Sequence, residues 1–152
     1  LGDYGEQLAA EALNATRSDN WYDMKKDMTL NESLEEAEVK TQNRHKFRHE
    51  FTVNIMYKNQ VEKCTKVKRL FFVEYDETDS IKIWECTDRK YNIFNTRDGR
   101  LMAGWPINKM TLIKEIVDKD KASYMRSLSQ SRDYDKNSPY NSLNIQKTRN
   151  KI

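Results

Sequence analysis

The chain has 152 residues, 37% of them hydrophobic, 34% charged and 11% aromatic, with a formal net charge of +3. This length fits one domain, and the aromatic share can still build a core in so polar a sequence. No apolar run approaches the roughly 20 residues of a membrane-spanning helix, which excludes helical membrane integration, and no signal-peptide pattern opens the sequence.

Residues 5–14 combine strong helix formers with Leu8, Ala9, Ala12 and Leu13 on one apolar face, which predicts a helix. Residues 17–20 read as a turn and residues 21–26 as a strand. Residues 27–30 begin another strand, and the polar segment 31–36 turns it back into residues 37–42. There, apolar and polar residues alternate as in a half-buried strand, so the two segments form a β-hairpin. Residues 43–50 are a basic loop, and residues 51–56 a short strand.

Residues 59–69 predict a helix carrying Val61, Cys64 and Val67. It leads into the apolar run 70–75, which suits a central strand buried on both faces. Residues 80–86 alternate cleanly and form another strand. Residues 91–96 and 101–107 flank Asp98-Gly99, a hairpin signal. Residues 110–117 open a C-terminal helix that extends through Met125. Residues 127–152 hold too few apolar groups to fold alone and form a tail. The order of elements predicts an α/β (α+β) fold, a mixed sheet flanked by helices. A core spans residues 1–118, and residues 119–152 form a helical extension and a basic polar tail.

The charge is uneven. From Lys119 onward there are eight Lys and Arg against three Asp, which leaves 19 basic and 21 acidic residues before it. Attraction to phosphate is therefore expected at the tail. Its Tyr124, Tyr134 and Tyr140 fit either stacking on bases or docking on a protein. Cys64 and Cys86 read as core thiols, which points to a reducing, intracellular location, cytoplasmic or virion-associated. The sequons at Asn14 and Asn31 are discounted for want of a secretory signal. Trp21, Trp84 and Trp105 read as packing residues.

One constellation carries chemistry. Glu38 and Lys40 are two apart in a predicted strand and project from one face. Asp27 lies in the partner segment of the hairpin. Two carboxylates with an ammonium beside them can bind a divalent cation. Asp23 competes with Asp27 for this role, with Asp19 a distant third; Asp27 is preferred because it directly precedes the apolar residues 28–30 that pair with the Glu38 strand. Taken alone, a Glu and a Lys on one strand face most often form a solvated pair.

The helix bearing Glu6, then Asp27, then Glu38-Val39-Lys40, then the helix from Gln60 into the Leu70 strand, resembles the PD-(D/E)XK nuclease superfamily. The likeness covers roughly residues 5–75, and the usual Pro before the Asp is missing. It implies a restriction-endonuclease-like fold and Mg²⁺- or Mn²⁺-dependent hydrolysis of DNA phosphodiesters. It also implies that Asp27, Glu38 and the Val39 carbonyl hold the metal, with Glu6 as an added acidic residue. Lys40 would orient the attacking water and stabilise charge.

Around this centre, Gln42 shares the face of Lys40 and is a candidate phosphate contact. Gln60, Lys63, Lys66 and Lys68 form a candidate phosphate-facing rim. Arg44, with Lys46 and Arg48, is a candidate contact to the DNA backbone. His45 and His49 lie four apart beside Glu50, but no ligand spacing supports zinc. The expected partners are DNA and either a second copy or a larger assembly, and the Asn/Lys-rich composition suits a phage gene. The rival reading is a non-catalytic protein that keeps the nuclease fold and docks through its tail. A Holliday-junction resolvase is a narrower form of the first reading.

Overall fold

A computed structural model describes residues 1–18, 27–44 and 49–134, the last four of these by backbone alone. The strand expected at residues 21–26, with Asp19 and Asp23, lies outside the described residues, as do His45, Lys46, Arg48 and the tail beyond residue 134. The elements run α1 Gly2–Leu13, β1 Ala15–Arg17, β2 Met28–Leu30, β3 Glu36–Asn43, β4 Glu50–Asn54, α2 Lys58–Lys66, β5 Arg69–Tyr75 and β6 Ser80–Glu85. They continue with β7 Asn92–Asn95, β8 Leu101–Pro106, a 3₁₀ turn, β9 Thr111–Val117 and α3 Lys119–Tyr134.

Six strands form one mixed sheet in the order β1-β2-β3-β5-β6-β9, and β4-β8-β7 form a second, three-stranded sheet. The pairing of β3 with β5 is parallel, Ala37 against Arg69 through Asn43 against Tyr75. A parallel pair needs a crossover, and β4 and α2 supply it. The mixed sheet with flanking helices matches the expected α/β class.

Strand β5 explains its own apolar run. Phe71, Val73 and Tyr75 pack toward α1 and α3 with Leu8, Ala9, Ala122 and Met125. Leu70 and Phe72 pack on the other face with Val61, Cys64, Phe51 and Trp105. Both faces are buried, so no alternation appears. Phe51 stacks on Phe72 with ring centroids 4.5 Å apart, which ties the small sheet to the large one.

Helix α2 is closed at its C-terminal end by a distant arginine. Arg89 donates to the carbonyls of Cys64 at 2.9 Å, Val67 at 2.8 Å and Lys68 at 3.1 Å. Cys64 carries one of the acceptors that a helix end leaves unsatisfied, and Val67 is the residue that caps it. The Asp-Gly hairpin forms as expected, with Gly99 at φ +84° in its turn.

Three expectations fail in whole or in part. Residues 110–117 are not helical: Thr111–Val117 is strand β9, antiparallel to β6 at the sheet edge. Thr111, Ile113, Ile116 and Val117 are β-branched and suit a strand, and the open edge of β6 supplies the backbone partners. The helix starts at Lys119 instead, where Asp118 Oδ1 accepts the amides of Asp120 at 3.0 Å and Lys121 at 3.1 Å. It continues to Tyr134, into the stretch expected to be tail, and its Ala122 and Met125 bury against the sheet. The expected turn at residues 17–20 also gives way in part: Ala15–Arg17 is strand β1, paired with β2.

Candidate active site

Strand β3 sorts its side chains by face. Ala37 and Val39 enter the core beneath α1. Glu38, Lys40 and Gln42 project to the other side, toward α2 and β4. Each meets a partner there: Glu38 meets Lys63 of α2, Lys40 meets Gln60 of α2, and Gln42 meets Thr52 of β4.

Asp27 joins this row from the hairpin. Its amide donates to the Ala37 carbonyl at 2.9 Å, and its Oδ2 accepts the Val39 amide at 2.9 Å. The carboxylate is thereby fixed beside Glu38. Among the described residues, Asp27 is the aspartate that reaches β3; Asp23 lies outside them.

Glu38 is fully buried, and no donor among the described residues is aligned to hydrogen-bond either of its oxygens. Two ammonium groups stand near Oε2, Lys63 Nζ at 3.3 Å and Lys40 Nζ at 3.5 Å. The Glu38 carboxyl is pushed up to about 8, first by burial and then by the Asp27 carboxylate beside it, with the two lysines opposing. Burial and the neighbouring carboxylate outweigh the two ammonium groups, so the protonated form of Glu38 is favoured.

Lys63 has only 8% of its side chain exposed, and its Nζ also lies 3.4 Å from Asp27 Oδ1. Burial acts to depress it, but the charges of Glu38 and Asp27 outweigh that and raise it. Lys40 donates from Nζ to Gln60 Oε1, so its ammonium is held between a carboxylate and a neutral acceptor. Glu6 comes from α1 and is raised by burial and then by the Asp27 charge, so it shares the field of this centre. Its Oε2 accepts Arg17 Nη2 at 2.8 Å, and that bond holds it partly in check.

The structure therefore brings Asp27, Glu38, Val39, Lys40, Gln60 and Lys63 together, with Glu6 in electrostatic reach. Gln42 is elsewhere engaged: its Nε2 donates to Thr52 Oγ1 at 3.1 Å and its Oε1 accepts the Thr52 amide at 2.9 Å. That pair of bonds anchors β4 to β3. Arg44 lies over the Phe51 ring, 5.5 Å from its centroid. Three of the candidate rim lysines line one cleft. A cleft of about 610 Å³ beside α2 is lined by Asn59, Lys63, Lys66, Lys68, Glu36 and Glu62. Gln60 instead turns to Lys40.

Sequence reasoning placed Lys63 on this rim and missed its ammonium between the two carboxylates. The available signal was helical spacing: Lys63 lies three after Gln60, hence on one helix face. The other candidates resolve as packing. Cys64 and Cys86 are free, buried thiols, pushed by burial up to about 12 and about 11. Trp105 is buried, and Trp84 Nε1 donates to Glu74 Oε2 at 3.3 Å. Glu50 accepts Asn92 Nδ2 at 2.8 Å.

No protein-family model matches the chain, and no curated protein matches it.

Among the described residues, no group of three His, Cys, Asp or Glu side chains is placed to hold a metal. A two-carboxylate centre remains. Its chemistry fits Mg²⁺, which is commonly bound through one or two carboxylates with water and substrate oxygens completing the shell. The buried Glu38 oxygens without a hydrogen-bond donor are the acceptors such an ion would take.

Proposed function

We propose that this protein is a Mg²⁺- or Mn²⁺-dependent endonuclease of the PD-(D/E)XK type, with a restriction-endonuclease-like core, that hydrolyses DNA phosphodiester bonds. The observation that carries the reading is the convergence of the fully buried Glu38, Asp27 and the Lys40 ammonium at one face of β3. Burying a carboxylate costs free energy that its surroundings must offset; Lys63 and Lys40 offset part of that cost, and a divalent cation between Asp27 and Glu38 would offset more.

Asp27, Glu38 and the Val39 carbonyl would hold the ion. When bound, the ion neutralises charge on the phosphate and lowers the pKa of a water. Lys40 would orient the attacking water and balance negative charge at the phosphate oxygens. Gln60 holds the Lys40 ammonium in place from α2. Glu6 adds negative field from α1, and the lysines along the cleft provide a path for the DNA backbone.

The test is a cleavage panel in Mg²⁺ on supercoiled, linear, single-stranded and branched DNA. Wild type should cut at least one form, EDTA should stop it, and Lys40→Ala and Glu38→Ala should not cut while still binding DNA. Equal cleavage by all three proteins sinks the site. The panel also decides between a general endonuclease and a junction resolvase.

One observation favours a second reading. Lys63 lies close to both carboxylates, so the cluster has a resident positive charge without any metal. In that reading the ions hold α2 on β3, and the chain is a non-catalytic interaction protein in a larger, phage-like assembly. Calorimetry separates the two readings: absence of Mn²⁺ and Mg²⁺ binding by wild type and by a Lys63→Gln variant supports the second.

A further inference from the structure

Lys63 occupies the ground that a divalent cation would need. Its Nζ is 3.3 Å from Glu38 Oε2 and 3.4 Å from Asp27 Oδ1. A dication bound by the same two carboxylates would face this ammonium at close range, and like charges a few ångströms apart in a buried site repel strongly. Both distances exceed the roughly 2.7–2.9 Å of a tight charge-assisted hydrogen bond. The ammonium neutralises the pair through long contacts, with its Nζ donating to Asp27 Oδ1 at 3.4 Å. Its stem is a flexible four-carbon chain, and the same side chain lines the 610 Å³ cleft, where Lys66 and Lys68 also lie.

We propose that Lys63 is a built-in competitor for the divalent cation, which leaves the carboxylate pair when the ion binds and turns into the adjoining cleft to meet a DNA phosphate. The proposal rests on the nuclease reading and deepens it. In the ion-free state Lys63 keeps Asp27 and Glu38 paired, which offsets the cost of their burial. In the loaded state its positive charge is delivered to the substrate. Metal loading and DNA affinity are then coupled through one side chain, and the coupling is reciprocal.

The test measures Mn²⁺ binding by calorimetry in the absence of DNA, on the full chain. Lys63→Gln removes the competing charge and should bind Mn²⁺ at least about tenfold more tightly than wild type, since a unit charge this close outweighs the side chain's freedom to retreat. Lys63→Arg keeps the charge and should bind no more tightly than wild type. Circular dichroism checks that each variant is folded. If Lys63→Gln fails to fold, an Arg variant that binds more tightly than wild type overturns the proposal, and one that binds equally or less tightly supports it.

The controls separate this inference from the one beneath it. If wild type binds Mn²⁺, Glu38→Gln loses it, and folded Lys63→Gln binds no more tightly, then the competitor role is overturned and the metal site stands. If wild type binds Mn²⁺ and Glu38→Gln binds it equally, or if neither wild type nor Lys63→Gln binds, both fall. A duplex titration with and without Ca²⁺ checks the second half. Wild type should gain more DNA affinity from the ion than Lys63→Gln does, and equal gains overturn the move into the cleft.

Discussion

The Asp27 carboxylate accepts the Val39 amide at 2.9 Å, and this bond ties the segment before β2 to the strand that carries Glu38. It does two jobs, one for folding and one for the site. Asp27→Ala should cost about 1.5–3 kcal/mol, the usual range for a hydrogen bond to a charged group. Asp27→Asn keeps an acceptor and should cost less, yet both variants should lose cleavage. Urea unfolding reads the first effect and the DNA panel the second. Cleavage by Asp27→Asn at the wild-type rate would remove Asp27 from the metal site.

Glu38 makes stability depend on pH in a direction opposite to most carboxylates. Its folded carboxyl sits at about 8 against an ordinary value of 4.5. The folded state therefore binds a proton between these values that the unfolded state does not. The contribution is fully present below about pH 4.5 and is lost as pH rises through about 8. Relative to Glu38→Gln, wild type should lose on the order of a few kcal/mol over that window. Parallel urea titrations at pH 5 and pH 8.5 measure it, and an unchanged difference between the two proteins would contradict the buried, unbonded placement of Glu38.

Lys40 reaches the centre as a charge held by Gln60 and Glu38. Lys40→Met should lower the cleavage rate about 10²- to 10³-fold, the scale for removing one positioned group that stabilises developing charge. DNA affinity should change little, because a single phosphate contact is a small share of the total. Single-turnover kinetics beside a binding titration separate the two. A large affinity loss at constant rate would reassign Lys40 to substrate binding.

Gly5 lets α1 approach β3. A Cβ there would lie 2.9 Å from Thr41 Cβ and 3.0 Å from Thr41 Cγ2, too close for either atom to tolerate. Rotating the Thr41 hydroxyl does not relieve a contact with its Cβ. Gly5→Ala should therefore destabilise by about 1–3 kcal/mol, even though alanine favours a helix by about 1 kcal/mol. Thr41→Ala should restore much of the loss. A thermal melt of the single and double variants shows whether the clash is the cause.

Much of the fold was legible because local pattern and tertiary role agreed. The run 70–75 read as a two-sided buried strand and is one. The Glu38 strand and the Asp27 segment read as a hairpin, and β2 and β3 pair as one. Residues 110–117 misled because a short alternation of apolar and charged groups fits a helix as well as an edge strand. The free edge of β6 decided it. Gln42 shared a face with Lys40, as period two requires, but its partner Thr52 is ten residues on, and no spacing rule foretold that pair.

By itself the sequence determined that Glu38 and Lys40 share one strand face, that an aspartate stands across a hairpin from them, and that a helix follows before a buried strand. These follow from the two-residue period of a strand and from local turn chemistry. Only the tertiary structure decided that Glu38 is fully buried, that Lys63 lies between it and Asp27, and that Gln42 is engaged by β4. Burial and long-range ion pairing depend on how the parallel β3–β5 crossover lays α2 over the sheet. That placement is a property of the packed whole and leaves no mark in the spacing of residues along the chain.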